Sequence, residues 1–237
     1  MTIVARLSRI EGRLEPWTWP WAERERAVIA AHWARRLGEC PAMFDGPVLL
    51  ARDFSIEGEV GRLALFEARF SQFLTFRDLD PPDAGALNVF AAAAPRGRDG
   101  GYLLGLMAGH TANAGRVYFP CGTPDRSDAR PDGTVDLEGS ALRELAEETG
   151  LAPGQGLAPE PAGPWLALRD GGLLGFLRTV PLAGDAASAR ARARAHLAAD
   201  PAPELADIVV ASSPDDLDPR MPRYVQDFLA DAFTNKG

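Results

Sequence analysis

The stretch "LRELAEETGL", from Leu142 to Leu151, has the residue pattern of a helix with an acidic face. With 3.6 residues per turn, Glu144, Glu147 and Glu148 fall on one side of a helix, and aliphatic residues such as Leu145 fall on the other. Carboxylates one turn apart repel each other unless a cation lies between them. The face is therefore either a solvated surface or a binding site for a hard divalent cation, which prefers oxygen ligands.

The residues around this stretch indicate where the helix begins and ends. Ser140 is the first candidate for the N-cap and Asp136 the alternative, because their side chains can accept hydrogen bonds from the free N–H groups of the first turn. Gly150 is a good stop signal. Arg143 lies one turn before Glu147, so its guanidinium can reach and orient that carboxylate.

Composition narrows the class of protein. The 237 residues carry a net charge of −8 and are 46% apolar, as in a globular protein. A general nucleic-acid binder would carry a basic surface, so that class is disfavoured. Cys40 and Cys121 fit no metal-binding spacing, and no run approaches the roughly 18 apolar residues of a membrane span. We expect a soluble cytoplasmic protein with reduced thiols and with neither nucleic acid nor a membrane as partner.

The best internal boundary is "DLDPPDAGA" (78–86), where Pro81 and Pro82 interrupt any regular element. Before it, Trp21–Leu37 has the spacing of an amphipathic helix, and 41–74 is typical of strands. After it come these predicted elements: a hairpin around "RGRDGG", a strand in "RVYFPCG", the acidic helix, two strands in "GPWLALRDGGLLGFLRTVPL", a helix over 186–200, a strand in "ADIVVASS" and a helix in "RYVQDFLADAF". The pattern predicts an N-terminal α+β extension over 1–85 and a larger domain over 86–237.

The segment Arg143–Leu151 resembles the second half of the Nudix box, Arg-Glu-U-x-Glu-Glu-x-Gly-U with U aliphatic, at every fixed position. An apolar strand and "YFPCG" precede the helix, where that superfamily has a strand and Pro-Gly-Gly. Asp125 stands where the family often has an acid. The chain is therefore similar to the Nudix hydrolase superfamily in this region.

The first half of the box departs from the family pattern. Counting back from Arg143, the family's first Glu would fall at Val135, and Asp136 is the nearest acid. Gly122 lies 21 residues before Arg143, so the loop between them is about seven residues longer than in the family. In the family this first Glu mainly supports the loop and the helix, so the metal-binding carboxylates can survive its loss.

The resemblance implies a fold, a cofactor and a reaction. The fold is an α/β (α+β) arrangement, a Nudix α/β/α sandwich with a mixed central sheet, preceded by the smaller N-terminal extension. The cofactor is Mg²⁺ or Mn²⁺, bound by Glu144, Glu147, Glu148 and the main-chain carbonyl of Cys121. The reaction is hydrolysis of the diphosphate bond in a nucleoside diphosphate that is linked to another moiety.

Further residues are candidates for the same site. Glu147 and Arg143 are expected to take part in catalysis. Glu204 in "PAPELAD" is our candidate for the general base, with Asp207 as its alternative, although a solvated loop explains both equally well. The candidates for substrate contacts are Gly122, Arg116, His110 and Asn113, of which the last three fit a plain polar hairpin loop as well.

The N-terminal part gives an indication of the substrate. The stretches "AHWARRLGECPAMFDGPVLLARDF" and "RFSQFLTFRDLD" are similar to the opening of the Nudix-related UDP-glucose/UDP-galactose hydrolases of animals. This resemblance suggests a UDP-sugar. Two alternatives remain open. The substrate could be ADP-ribose or a compound of the NADH type, or the chain could be a non-catalytic regulatory module with a Nudix fold that binds nucleotides. A homodimer is also left open.

Overall fold

The computed structural model describes residues 2–158 and 163–234, in which strands and helices alternate. The strands are β1 (Thr2–Leu7), β2 (Arg9–Leu14), β3 (Pro47–Glu57), β4 (Val60–Arg69), β5 (Asn88–Arg96), β6 (Tyr102–Met107), β7 (Val117–Tyr118), β8 (Thr134–Val135), β9 (Ala152–Pro153), β10 (Gly156–Leu157), β11 (Trp165–Asp170), β12 (Leu173–Pro181) and β13 (Leu205–Ala211). The helices are α1 (Pro20–Arg24), α2 (Arg26–Glu39), α3 (Phe70–Leu79), α4 (Leu137–Thr149), α5 (Ala186–Ala199) and α6 (Arg223–Thr234). In these ranges no helix has the length and apolar run needed to cross a bilayer.

The larger sheet has the order β1-β11-β12-β5-β6-β13, with β7 paired to β6. It is mixed, because β12 and β5 run parallel and the other neighbours are antiparallel. Residues 89–94 of β5 are all buried, as expected for a strand covered on both faces. The predicted strands and hairpin of the larger domain are confirmed.

Helices cover both faces of this sheet. Ala93 of β5 shares a small cavity with Ala141 of α4, whereas the ring of Phe90 packs 5.0 Å from that of Tyr224 in α6. Side chains three positions apart on a strand point to opposite faces, so α4 and α6 lie on opposite sides. Helix α5 packs beside α4 and against β13. The predicted α/β/α sandwich with a mixed central sheet is therefore confirmed.

A second sheet, of order β3-β4-β2-β8, has central residues of β3 and β4 buried on both faces. Leu49 and Leu65 join the core of the larger sheet, whereas Leu50 and Phe66 pack against the N-terminal helices with Trp19. This alternation follows from the two-residue period of a strand. The small sheet is thus a layer between the N-terminal helices and the rest of the protein.

Two N-terminal predictions need correction. The helix predicted over Trp21–Leu37 is two helices, α1 and α2, separated at Glu25. The prediction that 41–74 is rich in strands is wrong after Arg69, because α3 begins at Phe70. The N–H of Ser71 in its first turn donates to Asp45 at 2.7 Å. A cap supplied from 26 positions away is not visible in the local sequence pattern.

The N-terminal segment and the larger sheet exchange strands. β1 pairs with β11 at the edge of the larger sheet, and β8, from the loop before α4, pairs with β2 in the small sheet. Ala51 and Leu87 also exchange backbone hydrogen bonds of 3.0 and 2.7 Å. The division into residues 1–85 and 86–237 stays a prediction, and these contacts connect its two parts.

Candidate active site

Helix α4 carries the three candidate carboxylates, and its ends are fixed by local contacts. Asp136 is the N-cap, since its side chain accepts a 2.9 Å hydrogen bond from the N–H of Gly139. Ser140, the first candidate, lies inside the helix, so that prediction is wrong. Gly150 ends the helix with φ of 68°, a left-handed conformation that glycine adopts without a steric cost. The predicted stop is therefore confirmed.

Sequence reasoning missed Asp128, which is buried and faces α4. Its Oδ2 accepts a hydrogen bond of 3.0 Å from Ser140, and its Oδ1 lies 3.2 Å from Nη2 of Arg143. Asp128 is six positions after Gly122, which leaves five residues between them, the interval that the family pattern has between its Gly and its first Glu. Counting forward from the glycine would have found it. The extra loop residues follow Asp128 and do not precede it.

Arg143 connects this loop with two of the carboxylates. Its Nη1 donates to Glu144 at 2.7 Å and to Glu147 at 3.2 Å, while Nη2 faces Asp128. Burial opposes the charge on Arg143, but the contacts with Asp128 and Glu144 prevail and raise its pKa. The guanidinium is therefore a fixed positive charge that holds both glutamates in place.

Glu148 is the buried member of the set, with 9% of the residue exposed. It does not lie on an exposed face as the helical projection alone suggests. Its Oε2 has no hydrogen-bond partner among the described residues. Burial, followed by repulsion from Glu144 and Glu204, raises the pKa of Glu148 to about 8. The Glu148 carboxylate accepts a hydrogen bond from the N–H of Cys121, but a buried carboxylate oxygen without a partner is costly, so Oε2 favours a cation beside it.

Gly122 brings the main chain close to Glu144. A Cβ atom at residue 122 would lie 2.6 Å from the carboxylate carbon of Glu144 and 2.7 and 2.8 Å from its oxygens, so a larger residue would displace that carboxylate. Burial is also the main cause that raises the pKa of Glu144. The carboxylate is thus packed against the chain directly after Cys121, whose carbonyl is the predicted main-chain ligand.

These residues fit a divalent cation as an open site. Within 2–158 and 163–234 no three His, Cys, Asp or Glu side chains are close enough to enclose a metal ion. Mg²⁺ is usually bound by one or two carboxylates together with water and substrate phosphate oxygens, so a closed protein cage is not required. The unpartnered Oε2 of Glu148 and the packed carboxylate of Glu144 supply the hard oxygen donors that such an ion prefers.

A cavity of about 930 Å³ opens between the N-terminal segment and the larger sheet. All four predicted substrate contacts line it: Gly122, Arg116, His110 and Asn113. Asn113 donates to the hydroxyl of Tyr118 at 3.0 Å, which fixes its amide. Arg116 is exposed, and among the described residues its guanidinium has no carboxylate partner, so it is free to meet an anion.

The two candidate bases lie in different surroundings. Glu204 is exposed and lines the cavity, and its charge contributes to the raised pKa values of Glu148 and Glu144. Asp207 forms a two-point contact with Arg194, at 2.7 and 2.6 Å, on the side of α5. The hydrogen bonds from Arg194 lower the pKa of Asp207. The structure therefore brings Glu204 to the site and leaves Asp207 outside it.

Cys121 also lines the cavity, but its thiol is protected. The residue as a whole is half-buried, whereas the thiol itself is buried and hydrogen-bonds with Tyr224. Burial, followed by the charges of Glu148 and Glu144, raises the pKa of the thiol well above its usual range. The thiol is therefore an inert neutral group, and any contribution of this residue to metal binding comes from its main chain.

No protein-family model and no curated protein matches the chain. Among solved structures it is similar to the MutT protein from Methanosarcina mazei Go1, with 18% identity over 63% of this chain and 95% of that chain and a TM-score of 0.42. It is similar to a NUDIX hydrolase from Nitrosomonas europaea, with 20% identity, 63% and 90% coverage and a TM-score of 0.38. A putative nudix hydrolase family member from Chromobacterium violaceum gives 19% identity, 61% and 76% coverage and a TM-score of 0.38.

Proposed function

We propose that the chain is a divalent-metal-dependent hydrolase of the Nudix type, which cleaves the diphosphate bond of a nucleoside diphosphate linked to another moiety. The observation that carries this proposal is the buried, unpartnered Oε2 of Glu148, on the same helix as Glu144 and Glu147. The three glutamates do not line the large cavity themselves, but Gly122, which packs against Glu144, does. A buried carboxylate oxygen without a partner is unfavourable unless a cation binds it, so the position of Glu148 is better explained by binding than by stability.

The reaction needs help at two points. Water is a weak nucleophile, and a diphosphate diester repels a second negative charge. Bound Mg²⁺ or Mn²⁺, held by Glu144, Glu147, Glu148 and the carbonyl of Cys121, would lower the pKa of water and neutralise charge on the phosphates. Water then attacks one phosphorus, the bridging P–O bond breaks, and two phosphorylated products result.

The remaining side chains have positioning and proton-transfer roles. Glu204 reaches the cavity from a loop and accepts the proton of the attacking water. Arg143 holds Glu144 and Glu147 in register with the loop that contains Asp128. Arg116 contacts the anionic part of the substrate, with His110, Asn113 and the main chain at Gly122 around it.

For the substrate we propose a UDP-sugar, with ADP-ribose or a substrate of the NADH type as alternatives. The support is the N-terminal resemblance together with the contribution of that segment to the cavity wall, through Cys40, Met43 and α3. A non-catalytic nucleotide-binding module is the other class. The argument for that class is the interrupted first half of the motif. The contact between Asp128 and Arg143 weakens this argument, because the arginine of the motif still binds an acid.

The test is hydrolysis across a panel of nucleotide-linked diphosphates, with and without Mg²⁺. Released monophosphates are detected as inorganic phosphate after addition of a phosphatase. The proposal expects Mg²⁺-dependent release from at least one compound, with UDP-glucose giving UMP and glucose 1-phosphate faster than ADP-ribose is cleaved. If no compound is cleaved at millimolar concentration while nucleotides still bind, the chain is a binding module.

A further inference from the structure

One face of α3, outside the part of the chain that carries the acidic helix, lines the cavity with two rings and a guanidinium. Phe70, Phe73 and Arg77 recur at helical spacing and therefore share a face, which we call the α3 stripe. The ring centroids of Phe70 and Phe73 are 5.7 Å apart, and the guanidinium carbon of Arg77 lies 5.9 Å from the centroid of Phe73. Aromatic side chains of the larger sheet and α6 line the same cavity, namely Phe90, Tyr118 and Tyr224.

The guanidinium of Arg77 is held in place by hydrogen bonds with neighbouring side chains. Nε and Nη2 of Arg77 donate to Oδ1 of Asp78 at 3.0 and 2.9 Å. Oδ2 of Asp78 lies 3.0 Å from Nε2 of His32, which is buried. Arg35 donates to the other ring nitrogen of His32, so Nε2 carries the proton and donates to Asp78. This chain of contacts fixes the plane of Arg77 and leaves its other N–H groups available.

A planar ring is the group that suits this wall. Aromatic side chains stack on nucleobases whatever the base, and a guanidinium adds a cation–π contact and donors for the carbonyl oxygens of the base. A phosphate would pair with a guanidinium but gains nothing from two phenyl rings. A sugar ring offers hydroxyl groups, for which the carboxylates of Asp80 and Asp170, which line the same cavity outside the α3 stripe, are the better partners.

We propose that the α3 stripe binds the nucleobase of the substrate, so that the N-terminal segment selects the nucleotide while α4 carries out the reaction. This inference rests on the proposed function for the identity of the ligand as a nucleotide. It assigns to Phe70 and Arg77, with the buried ring of Phe73 packed against them, a specificity role that neither the acidic helix nor the loop around Arg116 supplies.

The test compares the binding of products that share a phosphate and differ in the base. Isothermal titration calorimetry on the full chain gives the dissociation constants of UMP, AMP and ribose 5-phosphate. The variants are Phe70→Leu and Arg77→Met. Their matched controls are Phe44→Leu and Arg62→Met, which change an exposed ring and an exposed guanidinium that do not line the cavity.

The proposal expects UMP or AMP to bind more tightly than ribose 5-phosphate, and each stripe variant to weaken the nucleotide on the order of tenfold while leaving ribose 5-phosphate unchanged. Both controls should match the unaltered chain. Arg77→Lys, which keeps the charge and the surrounding fold, should retain only part of the nucleotide affinity.

Three results would overturn the inference: nucleotides and ribose 5-phosphate that bind equally, stripe variants that weaken both ligands or neither, and stripe variants that weaken only a sugar phosphate such as glucose 1-phosphate. The proposed function is judged separately by hydrolysis. If binding depends on the base but no compound is hydrolysed, the proposed function is wrong and the role of the α3 stripe stands. If a compound is hydrolysed but binding does not depend on the α3 stripe, the function stands and the role of the stripe is wrong.

Discussion

Asp128 and Arg143 lie 15 positions apart in the chain, yet Oδ1 of Asp128 is 3.2 Å from Nη2 of Arg143. The same guanidinium donates to Glu144 at 2.7 Å. Arg143 therefore connects the lengthened loop with the carboxylates of α4. Such indirect partners usually tune a metal site rather than create it.

The contact between Asp128 and Arg143 can be tested by Asp128→Asn. Removing a buried charge that pairs with Arg143 should lower the free energy of unfolding by about 1–3 kcal/mol, measured by urea denaturation. It should also lower kcat by about tenfold, because partners of metal ligands have effects of that size. The control is Asp132→Asn in the same loop, where the exposed side chain accepts from the N–H of Thr134 and the amide oxygen still can. Equal effects from both variants would remove the special role of Asp128.

Glu147 should be needed for turnover and dispensable for folding. Its side chain is 60% exposed, so Glu147→Gln should change the unfolding free energy by less than about 1 kcal/mol. The loss of a metal ligand should lower kcat by a factor on the order of 10² or more, measured by steady-state kinetics. Glu138→Gln, on the same helix and 56% exposed, is the control and should keep full activity. A Glu147→Gln enzyme with more than about half of the original kcat would exclude Glu147 as a ligand.

The stability of the metal-free protein should depend on pH through Glu148. Burial, then Glu144 and Glu204, raise its pKa from 4.5 to about 8, so the folded state holds a proton that the unfolded chain releases. A raised carboxylate pKa makes stability fall as pH rises from about 4.5 to about 8, with a slope of at most about 1.4 kcal/mol per pH unit.

Urea denaturation in the presence of a chelator, at about pH 5 and about pH 8, measures this difference. Glu148→Gln cannot ionise and should lose most of the slope. Added Mg²⁺ should restore stability at the higher pH, because it stabilises the ionised carboxylate. An identical slope in Glu148→Gln would show that another group is responsible.

Glu204 should act in the reaction more than in binding. Glu204→Gln should lower kcat by about 10² while KM changes little, and the acidic limb of the kcat–pH profile should disappear. Asp207→Asn is the comparison, since Asp207 is engaged by Arg194 and outside the cavity. If Asp207→Asn has the larger effect on kcat, the two assignments must be exchanged.

The parts of the fold that follow from local periodicity were predictable from the sequence. The apolar run of β5 and the caps of α4 at Asp136 and Gly150 depend on neighbours in the chain, and the structure agrees with them. The helix α3 was not predicted: its start has a local contact, from the N–H of Arg69 to Gln72, but its first turn is also capped by Asp45 from a distant loop. Tertiary contacts of this kind override a strand-like pattern.

The candidate site was predictable where residue spacing determines it. Glu144, Glu147 and Glu148 share a helix face whatever surrounds them, but the burial of Glu148 depends on the elements packed around α4. Asp128 was not predicted, because the inserted residues change its separation from Arg143 in the sequence while its separation from Gly122 is unchanged. The α3 stripe was not predicted, because the cavity forms only where the N-terminal segment packs against the larger sheet.

The most direct measurement of the central claim is anomalous diffraction from crystals of the full chain soaked in Mn²⁺. We expect a peak within bonding distance of carboxylate oxygens of Glu144 and Glu148, close to the carbonyl of Cys121, and no such peak in Glu148→Gln crystals. Anomalous peaks confined to other parts of the molecule, with hydrolysis unaffected by a chelator, would contradict it.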